Sequence, residues 1–367
     1  MLCRLSAIGV LLALSGCTES LVFQDMWDAG TFSPSDARDA IGGSAGDASG
    51  GNRPDLDRAD RLCSSGIRPL HPTPETPQLF ILLDRSSAMR APMGTVKRED
   101  AAGDALISAI GQYQELIKFG FQQFPAGPLE QVPDAGAPRT CYAGKVHFQP
   151  GFFALLRIKG PLLCDDQPFF QCPEAAADSP SYAGLASINE YYTKRSDERD
   201  PRYVLLVTAS EPRCDADSSI DPCDSALNAA AALGNINVRV VVLSVGYQPP
   251  SGSCLVKISQ RRSRLDVPAG AKSLYTPSTV AELNQQVGEL MLAVAKSSCT
   301  LKLEWGPPDQ AQLVVSLGPN EVPQDPTDGW SFPDASKTSI VLSGKACTRY
   351  VDPKANDPLS VGYRFCP

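Results

Sequence analysis

Residues able to do covalent or coordination chemistry are unevenly represented, since the 367 residues include 12 cysteines but only two histidines, His71 and His147. A histidine-based triad needs a nucleophile beside it, and neither histidine has a convincing partner in sequence. The literal G-x-S-x-G match at Gly42, Ser44 and Gly46 lacks the preceding strand and following helix of a nucleophile elbow. No phosphate-cradling G-x-x-x-x-G-K-S/T loop or dinucleotide fingerprint follows a strand. A carboxylate pair brought together by folding is the one catalytic route left open, and the chain reads as a binding protein rather than an enzyme.

Arg4 precedes an apolar run, Leu5 to Leu14, that is too short to span a bilayer and reads as a signal peptide over residues 1–16. The run closes with Leu14-Ser15-Gly16-Cys17, which resembles the lipobox of bacterial lipoproteins. That resemblance implies cleavage before Cys17 and acylation of its thiol, palmitate included. Thr18, where an aspartate would retain the protein at the inner membrane, favours the outer membrane. Two or three acyl chains anchor far more firmly than one. No later segment approaches 18 uninterrupted apolar residues, so the lipid on Cys17 is the expected membrane contact.

With Cys3 removed and Cys17 acylated, ten cysteines remain: Cys63, Cys141, Cys164, Cys172, Cys214, Cys223, Cys254, Cys299, Cys347 and Cys366. An even set in an exported chain, without C-x-x-C pairs or a His-rich neighbourhood, reads as disulfides rather than as zinc ligands or a redox dithiol. Short separations single out Cys164 with Cys172 and Cys214 with Cys223. A Cys214–Cys223 bridge would gather Asp215, Asp217 and Asp221 into one loop, either a calcium site or a solvated acidic turn, without the glycine turn and terminal glutamate of an EF-hand.

Residues 17–77, rich in Gly, Ser, Pro, Asp and Ala without lasting periodicity, read as a disordered acidic tether behind the lipid. At Gln78 the texture changes. Leu79 to Leu83 form a continuous apolar run ending at Asp84, and the same texture returns at Tyr203–Val207 and Val238–Val245, as in strands buried on both faces. Lys118–Phe124 reads as an antiparallel edge strand. Leu106, Ile110, Tyr113 and Ile117 share one helical face, and so do Leu283, Val287, Leu290, Met291 and Val294, behind a capping-box pair at Thr279 and Glu282. Alternating strands and helices imply an α/β domain over 78–298, a mostly parallel sheet covered by helices on both faces, with ligands bound at the strands' carboxyl ends, where Asp84 sits. Beyond Ser298 the period becomes two, at Cys299, Leu301, Leu303 and Trp305 and again at Val361, Tyr363 and Phe365. Residues 299–367 read as a small antiparallel β module stapled by Cys299, Cys347 and Cys366.

The segment Phe80-Ile-Leu-Leu-Asp84-Arg-Ser86-Ser87-Ala88 resembles the first motif of von Willebrand factor type A domains, a buried strand that delivers D-x-S-x-S to a metal-ion-dependent adhesion site. The resemblance covers about residues 78 to 297. It implies a Rossmann-like fold and a divalent cation held by oxygen ligands from three loops, with protein ligands as partners. Asp84 and Ser86 match the first loop, and Ser179, in Asp178-Ser179-Pro180-Ser181, takes the place of the second loop's threonine. Thr208-Ala209-Ser210-Glu211 stands where the third loop carries its aspartate. Ala88 and Ala209 replace two of the five oxygen ligands, so the resemblance implies a degenerate site with at most weak Mg²⁺ or Ca²⁺ binding. Ser179 reads equally as a helix N-cap before Pro180, and Asp84 and Ser86 equally as hydrogen-bond partners of the loop backbones.

A formal net charge of −8 lacks the basic face that nucleic-acid phosphates require. The combined expectation is an envelope lipoprotein whose type-A-like domain binds a protein ligand, with a scaffold subunit of an envelope complex as the alternative.

Overall fold

The apolar run Gln78–Asp84 forms a strand in which every residue is buried, and the remaining elements are arranged around it. The computed structural model describes residues 67–125, 141–142, 146–163, 178–195, 200–214, 219–263, 265–268, 270–304, 313–355 and 357–364. The expectations for residues 1–66, Cys17 among them, and for Cys164, Cys172, Asp215, Asp217, Trp305, Phe365 and Cys366 lie outside the described residues.

In chain order the elements are β1 (Ile67–Leu70), β2 (Thr73–Pro74), β3 (Gln78–Asp84), β4 (Pro92–Met93), β5 (Val96–Lys97), α1 (Arg98–Tyr113), β6 (Lys118–Phe124), β7 (Phe148–Gly151), α2 (Leu155–Leu163) and α3 (Ser181–Thr193). Then follow β8 (Arg202–Thr208), α4 (Pro222–Asn235), β9 (Val238–Ser244), α5 (Cys254–Ser259), β10 (Leu274–Tyr275) and α6 (Val280–Ala295). The chain continues through β11 (Thr300–Lys302), β12 (Leu313–Leu317), β13 (Asn320–Glu321), β14 (Trp330–Ser331), β15 (Ser339–Leu342), α7 (Gly344–Tyr350) and β16 (Leu359–Arg364).

Six strands make one mixed, mostly parallel sheet in the order β10-β9-β8-β3-β6-β7. β3 lies between β6 and β8 and is parallel to both, while only β7, at the edge, runs antiparallel. Lys118–Phe124 is therefore an interior parallel strand, not the antiparallel edge expected from its mixed composition. The reason is the connection. Helix α1 carries the chain back to the amino end of the sheet, so the next strand starts parallel to β3. Its buried Gln122 is matched by a polar partner, since the amide nitrogen reaches Ser187 Oγ at 3.1 Å.

Alternate residues of β3 enter two different cores. Leu79, Ile81 and Leu83 pack with Leu106 and Ile110 of α1 and Val287 and Met291 of α6. Phe80 and Leu82 pack with Leu185 and Ile188 of α3 and Leu227 and Leu233 of α4. That division explains why β3 is apolar at every position. α3 approaches β3 at Gly184, where an added Cβ would stand 2.8 Å from Leu82 Cδ1. α1 ends before Ile117, yet all four expected core residues of that stretch are buried. At the start of α6, Thr279 Oγ1 accepts from the Glu282 N–H at 3.2 Å, and the Glu282 carboxylate accepts from the Ser278 N–H at 2.7 Å.

The C-terminal strands form two antiparallel four-stranded sheets, β1-β16-β12-β13 and β14-β15-β11-β2. Ile67–Leu70 pairs with β16 and Thr73–Pro74 with β11, which corrects the expected tether of residues 17–77 at its C-terminal end. Strands of four and two residues are too short to show a period, and their partners lie more than two hundred residues away in sequence. Leu301, Val315, Ile340, Val361 and Tyr363 bury into the same core as Leu79 and Ile81, so this β region shares its interior with one face of the six-stranded sheet. Among the described residues no helix is long and apolar enough to cross a membrane.

Candidate functional site

The register of the parallel strands assembles the site. Leu83 pairs with Val207, so the next residues, Asp84 and Thr208, emerge side by side at the carboxyl ends of β3 and β8. Thr208 Oγ1 donates to Asp84 Oδ2 at 2.6 Å and Ser179 Oγ donates to the same oxygen at 2.9 Å. Asp84 Oδ1 accepts from the Ser86 N–H at 2.7 Å, closing an Asx-type turn that starts the loop. Ser181 Oγ lies 3.3 Å from Ser179 Oγ. Asp84, Ser86, Ser179, Ser181 and Thr208 are all fully buried.

The fold thus brings together the three residues singled out in sequence, Asp84, Ser86 and Ser179. Ser179 is not the N-cap of α3. Pro180 occupies that position, and the Ser179 hydroxyl is engaged by Asp84. The Ser86 hydroxyl, also buried, lacks a hydrogen-bond partner of good geometry. Thr208 and Ser181 were not singled out by sequence reasoning. The matched carboxyl ends of two parallel apolar runs, Leu79–Leu83 and Tyr203–Val207, are the signal that points to Thr208.

Neighbouring residues hold the loop in place. The Arg85 N–H donates to the Phe124 carbonyl at 2.7 Å. The Arg85 guanidinium is buried, donates to the carbonyls of Pro161 and Leu162 at 2.7 and 2.8 Å, and lies 3.4 Å from Glu99. Those carbonyls end α2, where a cation is favoured by the helix dipole. Burial lowers the Arg85 pKa, and the Glu99 charge opposes that shift.

Burial dominates the Asp84 pKa and raises it, while hydrogen bonds from Thr208, from the Ser86 N–H and from Ser179 pull it down. A hard dication wants several anionic oxygens, and among the described residues Asp84 is the one carboxylate of this cluster. Among the described residues no group of three or more His, Cys, Asp and Glu side chains is placed to hold a metal. One carboxylate in a fully buried site would leave net positive charge uncompensated. The arrangement fits a carboxyl group shared among hydroxyls better than it fits Mg²⁺ or Ca²⁺. Glu211 does not replace the missing aspartate, because its two oxygens accept from Tyr247 Oη at 3.3 Å and from the Leu255 N–H at 3.0 Å.

Two disulfides fasten the loops around this cluster. Cys141, in the β6–β7 connection, joins Cys214, six residues beyond the end of β8, and Cys223 at the start of α4 joins Cys254 at the start of α5. The expected Cys214–Cys223 bridge is therefore not formed, because the two cysteines face loops on opposite sides of the β8 connection. Cys299 and Cys347 pair with each other. Asp221 caps α4 by accepting from the Cys223 and Asp224 N–H groups at 2.7 and 3.2 Å, which accounts for its side chain without a cation.

No protein-family model matches the chain, and no curated protein matches it. Several solved structures are similar in fold. Manganese-loaded Plasmodium vivax TRAP protein is 16% identical, with a TM-score of 0.42 over 60% of this chain and 76% of that one. The pilus adhesin SpaC from Lactobacillus rhamnosus GG is 11% identical, with a TM-score of 0.44 over 79% of this chain and 40% of that one. The PilB minor pilin from Streptococcus sanguinis is 9% identical, with a TM-score of 0.41 over 61% of this chain and 62% of that one. The chain spans 40% of the SpaC chain and about three quarters of the TRAP chain. These are partial likenesses of fold, and no residue role passes from them to this chain.

Proposed function

We propose that this chain is an exported envelope lipoprotein, acylated at Cys17, whose von Willebrand factor type-A-like domain binds a protein partner at the carboxyl edge of its parallel sheet without a resident cation and without catalysis. The observation that carries this reading is the rim of that edge. Loops following β6, β8 and β9 are cross-linked there by Cys141–Cys214 and Cys223–Cys254, around the end of β3 that carries Asp84. Open parallel sheets bind their ligands at this edge, and a cross-linked rim is pre-organised, which lowers the ordering cost of association. The disulfides suit an oxidising compartment, and the leader and lipobox at residues 1–17 suit anchoring to the outer membrane. With one buried carboxyl group already shared by hydroxyls, the partner is held by surface complementarity rather than through a metal bridge.

The test places a photo-crosslinking amino acid at the exposed Arg213 of the rim, and in a separate protein at the exposed Asn235 beside the amino end of β9, in cells making the full chain. The expected result is a discrete protein adduct from position 213 alone, unchanged by EDTA. Equal adducts from both positions, none from either, or a strict requirement for Mg²⁺ would overturn the reading. An adduct that co-purifies from membranes as a stable stoichiometric complex would identify the partner as a permanent envelope subunit and this chain as its scaffold.

A further inference from the structure

The edge of the sheet opposite the rim carries an apolar corner that the binding reading does not use. β7 runs antiparallel to β6, with Gly151 opposite Phe119, so the turn after β7 lies at the amino ends of the parallel strands. There Phe152, Phe153 and Leu156 are 40%, 64% and 89% exposed. Phe153 has φ +52°, a left-handed conformation that is sterically unfavourable for a bulky residue and persists only where its surroundings hold it. Gln114, at the end of α1, supplies that hold. Its carbonyl accepts from the Phe153 N–H at 3.2 Å and its side-chain oxygen from the Leu155 N–H at 3.3 Å. The fold thus holds two adjacent phenylalanines outward on a pinned turn, with Leu156 one helical step away.

α2 beside this corner carries two cations, Arg157 and Lys159, and no Asp or Glu, against a net charge of −8 for the whole chain. Arg157 and Lys159 are exposed on α2, and the Arg157 guanidinium lies 5.2 Å from the Phe148 ring centroid. Lys118 Nζ lies 5.6 Å from the Phe152 ring centroid and 2.9 Å from Asp200. Glu115, next to Gln114, is an exposed carboxylate close by. The Lys118 N–H donates to the Pro77 carbonyl at 2.9 Å, so the chain arriving from the N-terminal side reaches the sheet beside this corner.

We propose that Phe152, Phe153 and Leu156, with Arg157, Lys159 and Lys118 around them, dock this corner on an anionic phospholipid surface, an inference that rests on the lipid-anchor reading. Exposed aromatic and leucine side chains ringed by cations are the chemistry of an interfacial membrane contact. The basic patch offsets the repulsion that an acidic chain meets at an anionic bilayer. Docking by the amino edge turns the disulfide-fastened rim away from the membrane, where a partner can reach it.

The test uses the exported form, beginning at residue 17 and carrying Cys17→Ser so that no acyl chain is attached, in sedimentation with vesicles of phosphatidylcholine alone or with about 30% phosphatidylglycerol. Binding to the anionic vesicles is expected to weaken about tenfold in Phe152→Ser/Phe153→Ser and in Arg157→Gln/Lys159→Gln, and to fall at high salt. Leu156→Ser, at a side chain almost wholly in solvent, is a second variant whose folding is not in question and is also expected to weaken binding. The proposal is overturned if the parent protein stays in the supernatant, or if the phenylalanine and leucine variants bind as well as the parent. It is also overturned if the parent is a dimer that Phe152→Ser/Phe153→Ser converts to monomer while vesicles bind neither, which would make the corner a contact between copies. Acyl labelling of Cys17 in the unmodified protein is read separately, so loss of docking and loss of the anchor are distinguishable.

Discussion

Thr208 Oγ1 donates to Asp84 Oδ2 at 2.6 Å across the ends of two adjacent parallel strands, and this bond is the largest effect opposing the rise that burial imposes on the Asp84 pKa. Thr208→Val keeps the shape and removes the donor. The expected cost is about 1–3 kcal/mol of stability, as for a buried polar group deprived of a partner, with a further rise in the Asp84 pKa. Urea unfolding near neutral pH checks the first, and carboxyl NMR shifts followed through a pH titration check the second. Unchanged stability would show that the cluster does not depend on this bond.

The direction of the Asp84 shift sets a pH dependence. Its pKa is raised above the usual 3.8, so between the unfolded and folded values the native state holds a proton that the unfolded chain has lost. This contribution is fully present below the unfolded pKa and is lost as pH rises through the folded one. Asp84→Asn is neutral throughout and removes the slope. Compared from acid to neutral pH, the variant should gain on the parent as pH increases, and parallel stability curves would refute the assignment.

Calorimetric titration of Mg²⁺, Mn²⁺ and Ca²⁺ should show no saturable binding at millimolar cation that Asp84→Ala abolishes, because one buried carboxylate gives a dication too little compensating charge. Saturable binding lost in the variant would restore a cation-bridged mode of adhesion.

Peptide mapping without reduction should recover Cys141–Cys214 and Cys223–Cys254 and no Cys214–Cys223 peptide. The Cys223–Cys254 bridge spans 31 residues of sequence, and Cys223→Ala/Cys254→Ala is expected to cost about 3–4 kcal/mol by chain entropy.

Gly184→Ala tests the packing beneath the cluster. Helix propensity favours alanine by about 1 kcal/mol, but the new Cβ would meet Leu82 Cδ1 at 2.8 Å and Cδ2 at 2.9 Å. Leu82 is fully buried, so it can move aside only by displacing its neighbours, and overpacking of this kind costs about 1–3 kcal/mol. A fall in stability is expected in chemical denaturation, and a gain would mean that α3 shifts to relieve the clash.

Much of the arrangement is legible in residue order because it follows from local pattern. The apolar runs at Leu79–Leu83, Tyr203–Val207 and Val238–Val245 become β3, β8 and β9, since a strand buried on both faces cannot alternate. The stripe from Leu283 to Val294 and the Thr279 cap likewise become α6, since an amphipathic period and an N-cap are both local. Lys118–Phe124 is misleading because its glutamines and glycine suggest exposure, whereas Ser187 on α3, which sequence does not place nearby, gives Gln122 a partner.

The sequence by itself determined the chemistry available: one aspartate and a serine at a strand end, hydroxyls in two other loops, and an even set of cysteines in an exported-looking chain. Tertiary structure alone decided how these are used. Strand register set Thr208 beside Asp84, and loop placement joined Cys214 to Cys141 rather than to Cys223. Pairing with β16 and β11 drew residues 67–74 into the fold. These outcomes depend on contacts between residues tens to hundreds of positions apart, whose energies are realised only when the whole sheet is assembled, and no local periodicity records them.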